Sequence, residues 1–282
     1  MPNIETIRLH YRISKAAQTT RIRMDHGLVS FARCYLTAWK PDADAKTRKR
    51  EALLAKETVK ALIKGKVVET DLGRQIGGMV FDIAPARNQI KALEKENRKI
   101  AEKLAEQLPV YNRIQHIRGF GVWGVCCIIG EAGDLDAFSG RRKLYKYLGL
   151  APDECYKTGK DKPGRKGGRM IPRSTRGRIM GCIGVPLFNK QWAAECGPAG
   201  EKIKKGGTVK KGDPGNTPAH PTGPYGQVYY EAHARALASG KTRGHAHKLG
   251  RRVMVKALLH DVWAAWHGLE LTFAKPLADA AD

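Results

Sequence analysis

The sequence predicts a mainly α-helical protein. Three observations predict it. Apolar residues recur at helical spacing over long stretches, one of those stretches sustains a heptad repeat, and little of the chain alternates as a half-buried strand does. In the N-terminal region, residues 1–71, Ile4, Ile7 and Tyr11, then Ile22, Leu28, Phe31 and Tyr35, mark a helix over 4–39 with basic residues between them. Lys40-Pro41-Asp42 breaks it, and the Ala-, Lys-, Leu- and Glu-rich run 43–64 starts a second helix. Residues 72–108 carry the cleanest periodicity. With Ile76, Ile83, Ile90, Asn97 and Leu104 at a positions, the d positions are Met79, Ala86, Leu93, Ile100 and Gln107. Gly77-Gly78 and Pro85 weaken the first half, which leaves 86–108 as the clear coiled coil. Its Lys- and Glu-rich flanks predict a homo-oligomer through 86–108. The alternative is a helix packed on its own chain.

Pro109 ends the coiled coil and opens a domain over 109–273. Residues 196–226 interrupt that domain. They hold 8 glycines and 5 prolines among 31 residues, a composition that excludes a packed element and predicts a loop or disordered insertion. Val253, Leu258, Val262, Trp263, Trp266 and Leu269 predict a buried final helix, and 274–282 read as a frayed tail.

Charge narrows the function. Lys and Arg total 51 against 27 Asp and Glu, a formal net charge of +24. Such an excess points to a polyanionic partner, nucleic acid before membrane. No run approaches the roughly 18 apolar residues of a spanning helix, and MPNIETIRLHYRISK lacks the apolar core of a secretory signal. A cytoplasmic location is expected, with the six cysteines reduced and Cys126-Cys127 packed in a core. No cysteine pair has metal-ligand spacing. His245, His247, His260 and His267 lack a carboxylate or thiol at ligand distance in sequence, so no metal site is expected.

The chemistry concentrates at 114–178. Ile114-x-x-Ile117-x-Gly119-Phe120-Gly121-x-x-Gly124 is the pattern of a helix-hairpin-helix. Its glycines reach backbone angles closed to other residues, and N–H groups at the start of the second helix can meet a phosphate. The alternative is a plain glycine turn between core helices. Residues 141–178 then hold 13 basic residues against three acidic ones. Arg141, Arg142, Lys143, Lys146, Lys160, Arg165, Lys166, Arg169, Arg173, Arg176 and Arg178 join Gly119, Gly121 and Gly124 as candidate DNA contacts. Tyr145, Tyr147 and Tyr156 could stack on bases or belong to a core. A second block, 202–252, has 11 Lys and Arg against Asp213 and Glu231. Ser239-Gly240-Lys241-Thr242 contains GKT, but Arg235 stands where a phosphate loop needs glycine. Asp134 reads as a turn or cap residue, and Ser139 as a helix cap before Arg141.

From Ile117-x-Gly119-x-Gly121 through Ile129-Gly130-Glu131-x-Gly133-Asp134, Phe138, Lys143-Leu144 and Tyr147-x-Gly149-Leu150-x-Pro152, the chain resembles the C-terminal domain of the DEDD-type insertion-sequence transposases. That group includes the Piv invertases and the bridge-RNA-guided recombinases. Tyr11-Arg12 with Thr20-Arg21, and Ala246-x-x-x-Gly250-Arg251-Arg252, extend the resemblance toward both ends. It implies DNA transposition or recombination as the function, DNA as the partner and a structured guide RNA as a further one. It also implies a catalytic serine after the Tyr-x-Gly-Leu-x-Pro motif, where this chain has Thr158, with Ser174 the nearest serine downstream. Family members begin with an RNase H-like domain bearing four acidic metal ligands. These 282 residues hold no counterpart, with Met1 falling about where that domain would end. The expectation is therefore a DNA-binding protein without a cofactor of its own, using Mg2+ only through a nuclease domain supplied in trans. The alternative is a catalytically inactive repressor or RNA-binding protein derived from such an enzyme.

Overall fold

The computed structural model describes residues 3–36, 44–151, 173–193 and 219–274. The described chain is mainly helical, as the periodicity predicts, and it forms two compact units: His10–Ile100, and Met1–Leu9 with Ala101–Asp282. The division falls within two long helices, α1 (Ile4–Cys34) and α3 (Asp71–Ala105).

The unit His10–Ile100 is built from α1, α2 (Ala45–Ile63) and α3. Leu28 and Ala32 of α1 meet Ala55 and Val59 of α2 and Leu72, Ile76 and Val80 of α3 in one core. Asp44 caps α2, accepting from the Lys46 and Thr47 N–H groups at 2.7 and 2.9 Å and from the Thr47 hydroxyl. Those bonds hold its carboxyl below the usual range. Further along, α1 and α3 run antiparallel and exchange polar contacts. His10 Nδ1–H donates to Asn97 Oδ1 at 2.7 Å, and Ser14 Oγ–H donates to the Glu94 carbonyl at 3.0 Å. Arg21 pairs with Glu94 at 2.7 Å and Arg87 with Asp25 at 2.8 Å.

Pro85 lies inside α3 without ending it. A mid-helix proline costs about 3 kcal/mol. The contacts on either side, Val80 in the core and Arg87 on Asp25, hold the helix through it. The heptad seam divides within one chain. At a positions, Ile76 and Asn97 are buried and Ile83 and Ile90 half-buried, whereas Ala86 and Leu93 at d are exposed.

In the other unit, α10 (Arg243–Trp266) is the central helix, longer at its N-terminal end than the sequence pattern suggested. Met254, Val255, Leu258, Leu259 and Val262 are buried along it. Against it pack α9 (Pro224–Ala238), α4 (Pro109–Ile114), α6 (Arg141–Tyr147) and a π-helical turn, Met180–Gly184. That turn joins α7 (Arg173–Ile179) to α8 (Val185–Gln191). Helix α5 (Val122–Ala132) is buried from Gly124 to Gly130, with Cys126 and Cys127 in its core-facing run. The GKT segment is the turn between α9 and α10, where the Thr242 hydroxyl accepts from the His245 N–H. Asp134 accepts from the Asp136 N–H at 2.9 Å, a capping role. Ser139 does not cap α6. Gly140 takes that place and brings no side-chain bond, because the chain enters α6 one residue later than the Ser139 reading requires.

The insertion is closed at its base. Strand β1 (Trp192–Ala193) pairs antiparallel with β2 (His220–Pro221). The predicted loop covers 196–226, but its last residues already belong to β2 and α9. Its middle, like the tail after Ala274, lies outside the described residues.

Asp261 holds the C-terminal segment. It is fully buried on α10 and accepts from the Tyr225 hydroxyl at 2.8 Å and from the N–H groups of Thr272, Phe273 and Ala274 at 2.8, 3.0 and 2.8 Å. Burial, with the Asp261 charge beside it, pushes the Tyr225 phenol far above its ordinary value. Replacing Asp261 with Ala leaves three N–H donors and one hydroxyl without a partner, and each buried donor so stranded costs about 1–3 kcal/mol. We expect Asp261→Ala to lose at least about 3 kcal/mol in urea denaturation. A loss below about 1 kcal/mol would show that this network does not hold the segment.

Candidate nucleic-acid interface

The glycine turn between α4 and α5 is the best-defined part of the predicted site. Gly119 has φ +89°, in the left-handed region. A Cβ there would lie 2.8 Å from the Pro186 carbonyl oxygen and 2.9 Å from Leu187 Cα, so the turn is pressed against α8. Gly124 packs directly under the Phe120 ring, whose Cδ2 would lie 2.7 Å from an added Cβ. Gly121 differs from both. It is the N-cap of α5, it has ordinary extended angles, and nothing lies within 4 Å of where a Cβ would project. Two of the three predicted contact glycines therefore serve internal packing. Gly121 alone of the three has open space where a side chain would project.

Gln191, which sequence reasoning missed, fixes this turn. It is 3% exposed and donates from Nε2 to the Arg118 carbonyl at 2.9 Å. Its own carbonyl accepts from the Thr222 N–H at 2.9 Å, and Gly226 sits against that carbonyl too closely for any side chain. No linear signal marks Gln191, because its partners lie 73 residues before it and about 30 after it.

The cationic candidates separate. Arg141, Arg142, Lys143 and Lys146 are exposed on α6, anchored by buried Leu144. Arg178 instead grips Glu131 of α5 with both ends of its guanidinium, Nη2 to Oε2 at 2.9 Å, and the Glu131 side chain is 8% exposed. That bidentate pair binds α7 to α5. Arg176 and Ser174 are exposed on α7, and among the described residues nothing hydrogen-bonds the Ser174 hydroxyl. Arg173 opens α7. Thr158, Lys160, Arg165, Lys166, Arg169 and Tyr156 lie outside the described residues. Tyr145 is half-buried, and burial pushes its phenol up to about 12. Tyr147 packs edge-on to Phe138.

An aromatic cluster gathers at the base of the insertion. Phe188, Trp192 and Tyr229 are mutually in contact, Trp192 stacks on exposed Tyr230, and His233 stacks on Tyr229. The Tyr229 hydroxyl bonds His247 Nδ1 at 2.9 Å. Burial first, then Arg251 and His233, keep His247 below its ordinary value. The Arg251 guanidinium donates to the Met180 carbonyl at 3.3 Å beside the π-helical turn, and burial lowers its value. Three of the four histidines weighed as ligands have separate partners: His247 bonds Tyr229, His260 contacts Asp261 and His267 contacts Asp136. Among the described residues, no three His, Cys, Asp or Glu gather as a metal site, and no helix is long and apolar enough to cross a membrane.

Comparison with protein-family models, with curated proteins and with solved structures yields no match.

Two outcomes are expected. Gly119→Ala should destabilise the chain by about 1–3 kcal/mol through positive-φ strain and the clash with α8, while Gly121→Ala should stay within about 0.5 kcal/mol. Equal effects in chemical denaturation would sink this division of roles. His247 binds its proton less readily folded than unfolded, so its contribution to stability is full above its unfolded value of 6.5 and is lost as pH falls below it. The drop in urea midpoint from pH 7.5 to 5.5 should shrink in His247→Gln, and an unchanged drop would remove His247 from the pH response.

Proposed function

We propose that this chain is the DNA-binding and assembly part of a transposase or recombinase of the DEDD type. The single observation that carries the reading is the open N-cap at Gly121, set on a glycine turn braced by α8, in a chain of net charge +24. Helices α4 and α5 act as a helix-hairpin-helix. The Val122 and Trp123 N–H groups at the start of α5 meet a backbone phosphate, and the exposed cations of α6 neutralise further phosphates. Contacts of this kind position a duplex without reading its sequence. Arg178 belongs to the scaffold, since Glu131 already neutralises it. The exposed d positions Ala86 and Leu93 offer the seam for a second copy. Strand cleavage falls to a nuclease domain outside these 282 residues, which would bring the Mg2+ site.

A second reading is favoured by Thr158 standing where the family has serine: a non-catalytic nucleic-acid-binding protein derived from such an enzyme. Threonine is the more hindered nucleophile and needs an activating base. Addition of the family's nuclease domain in trans separates the two readings. Restored cleavage supports the first and intact binding without cleavage the second.

The binding step is testable alone. Duplex affinity should fall with salt at a log–log slope of about −0.9 for each phosphate neutralised. Gly121→Val should lose at least tenfold in duplex affinity with an unchanged circular dichroism spectrum. A flat salt response, or wild-type affinity in Gly121→Val, would falsify the role given to the turn.

A further inference from the structure

The unit His10–Ile100 contains a cleft of about 1070 Å³ among α1, α2 and α3. That is at the upper end of small-ligand sites, about 300–1,000 Å³. Six cations line it: Arg33, Lys56, Lys60, Lys64, Arg87 and Lys91. Asp25 is the one carboxylate of the lining, and it is already engaged by Arg87 at 2.8 Å and Arg21 at 3.4 Å.

The arrangement is regular. Lys56 and Lys60 on α2 and Lys64 at its C-cap recur every four residues, a spacing that steps along one side of a helix by about 6 Å of axis each. Among the described residues, no acidic side chain pairs with any of the three or with Lys91. A lysine row is ordinarily a solvated helix face, and two observations set this one apart. The row borders a concave surface whose floor is apolar, with buried Val59 and half-buried Val29 and Ile63. The opposite wall carries Arg33, whose Nε is shielded from solvent and has no hydrogen-bond acceptor.

We infer that this cleft binds a single strand of nucleic acid, with successive phosphates on Lys56, Lys60 and Lys64 and bases against the apolar floor. The charge row suits a linear polyanion. The aliphatic floor offers apolar contact to the faces of bases, which a duplex hides in its stack. Arg33 and Arg87 offer planar guanidinium groups to the bases or phosphates. The site goes beyond the duplex-binding turn proposed above, since none of its residues belongs to the unit that carries that turn.

The test uses the full chain with fluorescent oligo-dT, oligo-U and a duplex of the same length. Lys60→Glu/Lys64→Glu should weaken single-strand binding at least tenfold, make its salt slope shallower by about 1.4, and leave duplex affinity within twofold. Gly121→Val should do the converse, so failure of one site does not imply failure of the other. Equal loss on oligo-dT and oligo-U supports recognition through phosphate alone. A larger loss on oligo-U supports an RNA strand read through its 2′-hydroxyls. Should the double variant lose its helical spectrum, Lys56→Gln/Lys91→Gln carries the same test with uncharged side chains. Unchanged single-strand affinity in a folded variant, or loss of equal size on strand and duplex, overturns the inference. So does photo-crosslinking of 4-thiouridine strands that never reaches the 54–66 segment.

Discussion

The larger unit depends on one buried amide. Gln191 ends α8 and has no exposed role, yet it bonds the loop before Gly119 through its side chain and the far end of the insertion through its backbone. Gly226 exists as glycine because that carbonyl leaves no room for a side chain. A long polar insertion placed between two core helices has a loop-closure cost that grows slowly with its length. The β1–β2 pairing and the Gln191 contacts offset that cost at the point of entry, beside the packing of α8 on α9 and of α9 on α10.

The same geometry separates bracing from binding. Gly119 and Gly124 look like ligand-facing residues in the sequence, but their missing side chains are filled by α8 and by Phe120. Arg178 looks like a phosphate contact, but Glu131 holds it. Each of these reduces the number of surface groups available to a polyanion. Among the described residues, what remains is the helix start at Gly121, the cations of α6 with their single buried anchor Leu144, and exposed Arg176 on α7. Rigid support under a few exposed groups is what a non-sequence-specific phosphate contact needs, because the donors must be held without reorganisation when the strand arrives.

In the smaller unit, electrostatics is resolved within the three helices. Two carboxylates at the seam of α1 and α3 are held by arginines: Asp25 by Arg21 and Arg87, and Glu94 by Arg21. Among the described residues, Lys56 and Lys60 of α2 and Lys64 at its C-cap have no such partner, and they border a concave surface. The pairing also explains Asn97. A polar a position ordinarily costs stability in a coiled coil, but here His10 of the same chain supplies its partner.

By itself the sequence determined the helices, the net charge, the position of the glycine turn and the place where an insertion interrupts the domain. These are local or additive properties. A helix closes its bonds within four residues, charge is a sum, and a glycine cluster punctuates wherever it falls. The tertiary structure decided which helix fills the Asn97 seam, which glycines pack and which stays open, and what Arg178, Gln191 and Asp261 hold. A heptad shows that a seam must be covered without showing by whose helix, and Pro85 could be judged only once the contacts on both sides of it were known. The partners of these residues lie about 11 to 87 positions away. No periodicity reports such a distance, because a hydrogen bond across the fold depends on where two segments meet and not on the spacing between them.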